Sequence, residues 1–202
     1  KKSGYDQPGG AEGVQCWLDL IKDGSSPTAE QMTETSPQDL FQSGRVAMVF
    51  QGSWMIPQFM KNDAIKDKID IAPMPKIKKN AAVIHGLSNV IYAKTKHPKE
   101  AWEFVEFLSG KDANEIVAKS GVVIPAYKPV LDIFLKSYSS VNLKAYTDSI
   151  DYSVMYPVSK NTPKWTTVQD ETLKKVWAGQ MSAEEGTKKI GEEMNKLLEQ
   201  EK

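Results

Sequence analysis

Apolar residues recur along this chain at helical spacing in some stretches and in short unbroken runs in others. Val14, Trp17, Leu18 and Ile21 fall at i, i+3, i+4 and i+7, which predicts a helix over 11–22 with Gly24 past its end. The polar stretch 25–36 reads as loop. Ser36 is a good N-cap with Pro37 at the first helical position, opening a short helix through Phe41. The run Arg45-Val46-Ala47-Met48-Val49-Phe50-Gln51 predicts a short strand, with Val46, Met48 and Phe50 on one buried face and Ala47 and Val49 on the other. A helix follows from Ser53 to about Lys61, shortened or kinked at Pro57. Lys68 to Ala72 is a further short strand, ended by Pro73-Met74-Pro75.

Two apolar strand segments within 81–94 flank the step His85-Gly86-Leu87-Ser88-Asn89. A glycine inside a strand pattern predicts a bulge or the close approach of another group. Pro98–Ser109 is amphipathic through Ala101, Trp102, Val105 and Leu108, and a second helix over 112–119 ends at Gly121. Val122 to Pro125 reads as a short extended segment. Shorter helices are predicted over 129–138 and 143–148, and an extended segment over 153–162. A helix opens at Pro163 and runs to about Ala178. Ser182 and Glu185 form a capping box for the last helix, whose buried stripe is Ile190, Met194, Leu197 and Leu198. Trp17, Trp102 and Trp177 lie on apolar stripes and are expected in the core. Helices alternating with short strands indicate an α/β fold.

At 202 residues the chain can bury a real core, as one large domain or two small ones. Its 26 basic and 26 acidic residues cancel. That balance disfavours a nucleic-acid partner, which rewards basic excess through counterion release. Arg45 is the only arginine, which disfavours a strongly anionic ligand, since bidentate recognition leans on guanidinium forks. Cys16, the sole cysteine, is expected to pack as a small apolar residue and leaves the redox compartment undecided. The chain opens on Lys1-Lys2-Ser3-Gly4 rather than methionine, so a processed N-terminus or a piece of a longer chain is expected.

The motifs of phosphate loops, dinucleotide folds and zinc proteases do not occur. His85 and His97 are the only histidines, with no cysteine or carboxylate cluster beside them, so neither a metal nor another cofactor is expected. His97 reads as a surface or capping residue. For His85, a hydrogen-bonded role in the fold and a ligand contact stay open. A glycosidase needs two carboxylates flanking the scissile bond. Asp151 and Asp170 could be nominated, but nothing singles them out, and no catalytic residue is assigned. Gly52-Ser53-Trp54 is the most pointed step. A residue without a side chain, then a hydroxyl, then a large flat ring at a helix start allows close ligand approach over a stacking floor. The competing reading has Trp54 closing the core.

In order along the chain, these residues resemble the family 1 extracellular solute-binding proteins of ABC transporters, the sugar-binding group that includes maltose-binding protein. The resemblance is carried by Phe41 to Met48 with Gly52-Ser53-Trp54, then Ile71-Ala72-Pro73-Met74-Pro75. It continues through His85-Gly86-Leu87-Ser88 with Lys96 to Phe104, Gly121 to Tyr127, and Met155-Tyr156-Pro157 with Trp165. It covers nearly the whole chain and rests on order and spacing rather than on one decisive motif.

The resemblance implies a two-lobe periplasmic-binding-protein-like fold of type II, of which this chain corresponds to the C-terminal part. Members are about twice as long. Residues 1–85 and 150–202 would then belong to the second lobe, and 86–149 would return to the first. Exposed apolar surface is expected on 86–149, where the missing N-terminal half or another chain would pack. The implied activity is extracytoplasmic binding of a sugar or oligosaccharide, delivered to the membrane permease of an ABC importer by a receptor lipid-anchored at full length. A same-fold receptor for a polyamine, a glycerol phosphoester or ferric ion is the alternative, and a carbohydrate-active enzyme comes last. For a sugar, Trp54 and Trp165 are the expected stacking platforms. Ser53, His85, Gly86, Leu87 and Ser88 would supply polar contacts, with Tyr156, Lys160 and Asn161 as further candidates on the return segment.

Overall fold

The computed structural model describes residues 2–201. They form ten α-helices and one pair of short strands. In chain order the helices are α1 (Pro8–Lys22), α2 (Ala29–Glu34), α3 (Pro37–Gln42), α4 (Ile56–Met60), α5 (Pro98–Ser109), α6 (Lys111–Ser120), α7 (Leu131–Leu135), α8 (Lys144–Asp148), α9 (Thr162–Trp177) and α10 (Ala183–Glu199). The strands are β1 (Ala82–Ile84) and β2 (Ser153–Met155).

Most helix boundaries follow from local chemistry. Pro98 opens α5 where a missing N–H costs nothing. Ser182 and Glu185 close the expected capping box of α10. Gly121, at φ 64°, takes the left-handed position that ends α6. The expected loop 25–36 contains α2, which the apolar pattern did not reveal. That helix has no buried residue and is started by a capping box between Thr28 and Gln31.

The strands depart further from expectation. Residues 46–51 are irregular, with Met48 and Phe50 exposed rather than buried. Residues 68–72 and the apolar run after Gly86 are likewise outside any ladder. An extended segment becomes a strand only when a neighbour takes its N–H and C=O groups. Among the described residues the only pairing is β1 with β2, parallel, in the register Ala82–Ser153, Val83–Val154 and Ile84–Met155. The Tyr156 N–H donates to the Ile84 carbonyl at 3.1 Å and carries the ladder one step further.

The described chain divides into two compact units. One joins the residues up to Pro37 with those from Pro157 onward, and the other is Gln38–Tyr156. In the first, Val14, Val176 and Ala183 form a small core with Leu18, Leu173, Trp177 and Met181 packed against it. In the second, Ile56, Ala118, Val130, Phe134, Val141 and Leu143 form the core, with Ile69, Ile71 and Tyr146 against it. That core draws on residues from both 38–85 and 86–149. Two rings expected in the core lie outside it. Trp17 is 41% exposed and Trp102 is 61% exposed, with Phe104 and Phe107 of α5 also exposed.

Asp70 ties the second unit together across the sequence. Its Oδ1 accepts the Asn142 N–H at 2.7 Å and the Ile71 N–H at 2.8 Å. These two donors, Asn142 foremost, hold its carboxyl below the usual aspartate range. A lowered folded-state value means the contribution is present above the unfolded value and is lost as pH falls through the folded one. Asp70→Asn keeps the acceptor and removes the charge. It is expected to lower the melting temperature at neutral pH, with the deficit shrinking on acidification below about pH 4, as followed by melts across pH. Phe134→Ala empties the centre of this core and is expected to cost about 3–5 kcal/mol in urea denaturation.

Candidate functional site

Ile56 and Phe59 anchor α4 in the core of the second unit, and the Phe59 ring sits 5.2 Å from that of Phe41. Trp54 lies in the 3₁₀ turn Ser53–Met55 just before this helix, and its side chain is turned outward, 51% exposed. Its ring makes an edge contact with His85, with centroids 6.2 Å apart and planes at 81°. His85 in turn stacks on Tyr156 at 4.8 Å and 26°. Three rings from three separated segments thus meet at the surface, with His85 itself exposed.

The pairing of β1 with β2 explains this meeting. Ile84 stands opposite Met155, so the next residues, His85 and Tyr156, leave the ladder side by side. Sequence reasoning named both residues but not their contact, because no local signal states which strand pairs with which. Tyr146 was missed altogether. Its hydroxyl donates to the Gln51 carbonyl at 3.3 Å, which ties α8 to the segment leading into Trp54. Burial pushes the Tyr146 phenol up, so the proton needed for that bond stays in place at neutral pH.

Other expected site residues are placed differently. Ser53 is buried beneath the turn. Gly86 and Ser88 are exposed, and a Cβ built on Gly86 would meet nothing within 4 Å. Leu87 is almost fully exposed. Trp165 belongs to the other compact unit and is 3% exposed, so its ring offers no open platform in this structure. Its position in the first turn of α9 does bring its indole N–H to the Ser159 hydroxyl at 3.0 Å, but the ring turns inward. Asn161 is likewise engaged in the fold. Its side-chain amide donates to the Leu197 carbonyl at 3.0 Å, and its backbone N–H donates to Glu201 Oε1 at 2.7 Å. Lys160 is exposed on the same turn. His97 is exposed at the start of α5, 3.8 Å from Glu100.

Among the described residues, no cluster of histidine, cysteine and carboxylate side chains could hold a metal ion, and no helix is long and apolar enough to cross a membrane. Chemically, the Trp54 indole offers an apolar ring face, and the His85 imidazole, set nearly at right angles to it, offers hydrogen-bonding nitrogens. The family model of bacterial extracellular solute-binding proteins matches residues 1–148. The chain belongs to that family.

Proteins named as binding proteins in Brucella abortus (strain 2308) and Brucella suis biovar 1 are 25% identical to this chain over 175 residues, which is 84% of it and 41% of each relative. The fold is that of solved binding proteins. An ABC substrate-binding protein of Listeria monocytogenes in complex with cycloalternan superposes with a TM-score of 0.83 at 21% identity, covering 98% of this chain and 51% of that one. A cyclic α-maltosyl-1,6-maltose binding protein of Arthrobacter globiformis gives 0.76 at 19% identity, over 98% and 50%. The chain thus spans about half the length of these solved relatives and less than half of the curated ones.

Stacking of His85 on Tyr156 is testable by itself. Tyr156→Phe is expected to keep the upfield ring-current shift of the His85 imidazole protons in NMR spectra, and Tyr156→Leu to remove it. Equal shifts in both variants would mean that the rings do not stack in solution.

Proposed function

We propose that the full-length protein is an extracytoplasmic receptor that binds a sugar or oligosaccharide between two lobes and delivers it to the membrane permease of an ABC importer. The observation that carries this reading is the surface contact array of exposed Trp54 and His85 with half-buried Tyr156. Exposed aromatic rings that hold one another in fixed geometry are poorly explained by core packing. They suit a pyranose, which offers C–H groups on one face and hydroxyls at its rim. Trp54 takes the face, and the His85 nitrogens take a rim hydroxyl. Backbone and hydroxyl groups at Gly86 and Ser88 lie in the same exposed stretch and are candidates for further rim contacts.

Zero net charge and a single arginine agree with a neutral ligand better than with a phosphorylated one. The family and the oligosaccharide-binding relatives support binding rather than turnover as the activity. Lipid anchoring of the full-length receptor is part of the same reading. So is a covering partner for the exposed apolar residues Leu87, Val90, Trp102, Phe104 and Phe107, which the remaining half of the protein or another chain would supply.

Calorimetry on the full-length protein with maltotriose and cycloalternan tests the proposal. Trp54→Ala is expected to abolish measurable binding while leaving the protein folded, because its ring is half outside the fold. Losing a single rim hydrogen bond, as in His85→Ala, should cost only about 1 kcal/mol of affinity. Unchanged affinity in the Trp54 variant would sink the assignment.

A further inference from the structure

Gly52 presents a puzzle that its backbone does not solve. Its φ of −87° and ψ of 167° are ordinary extended values, open to any residue. Glycine is therefore not required there for a turn. Yet a Cβ built on Gly52 would overlap Cε3, Cζ3 and Cη2 of Trp54, the six-membered part of the indole. The space left by the missing side chain is occupied by the ring two residues further on. On that side of Gly52 the ring, rather than open space for a ligand, faces the backbone.

The surroundings leave the ring and its support little freedom. The Gly52 carbonyl accepts the Met55 N–H at 3.2 Å, closing the turn under Trp54. The preceding carbonyl, on Gln51, is held by the Tyr146 hydroxyl. On another side the indole meets His85, itself stacked on Tyr156. From this we infer that Gly52 is a positioning residue, which seats the Trp54 ring in its binding pose before any ligand arrives. The inference rests on the sugar-binding reading above for its functional consequence, but its structural content stands apart from the ligand. A platform already seated loses less freedom on binding, so its effect appears as affinity.

The test uses the full-length protein with Gly52→Ala, Trp54→Ala and the double variant. Calorimetry with maltotriose and cyclic α-maltosyl-1,6-maltose as probes is expected to show roughly ten-fold weaker binding for Gly52→Ala. Melting temperatures supply the discriminating cycle. Gly52→Ala should lower the melting temperature when Trp54 is present. It should be neutral or slightly raise it in the Trp54→Ala background, where the added methyl meets no ring and stiffens the unfolded chain. An equal loss in both backgrounds would overturn the inference, because Gly52 would then serve the backbone rather than the ring. Wild-type affinity in Gly52→Ala would overturn it as well. If the unmodified protein binds neither probe, the sugar reading fails, and the melting cycle alone still decides whether Gly52 seats Trp54.

Discussion

Three residue pairs between β1 and β2 govern the arrangement of the candidate site. Parallel strands place equivalent residues side by side, so the register that matches Ile84 with Met155 also brings His85 beside Tyr156. A slip of one residue would turn alternate side chains to the opposite face and separate the two rings. A ladder this short is marginal alone, because each hydrogen bond nets only about 1 kcal/mol. An aromatic stack contributes about 0.5–1.5 kcal/mol, which is of the same order. Ladder and stack therefore support each other, and neither dominates. The long connection between the two strands is held by the core around Phe134, which carries the larger share of stability.

Helices were largely legible in the sequence because their signals are local. Pro98, the Ser182–Glu185 box and Gly121 each mark a boundary within one turn of the residues concerned. The exception, α2, lacks an apolar stripe, and only its Thr28–Gln31 box announces it. Strands were not legible in the same way. The apolar runs at 45–51, 68–72 and after Gly86 indicate a capacity for strand pairing without naming a partner, and in this structure they join no ladder. At the site, Trp54 could be picked out from its glycine and serine neighbours. The Tyr156 contact could not, since it depends on residues some seventy positions apart. For Trp165, a place in the first helical turn does not decide where a ring points. Ser159 and the interior claim it.

The amphipathic helix α5 makes a related point about pattern and context. Its stripe of Ala101, Trp102, Val105 and Leu108 reads as a core face, yet Trp102 stays in solvent. A hydrophobic stripe records the capacity of a helix face for burial, and the packing around it decides whether that capacity is used. The chain spans about half the length of its solved relatives.

The bond from Tyr146 to Gln51 reaches a main-chain oxygen, which every residue type possesses. Substitution at position 51 therefore leaves the anchor intact, whatever side chain arrives there. Mutational drift can rework the rim of this surface while its footing stays the same.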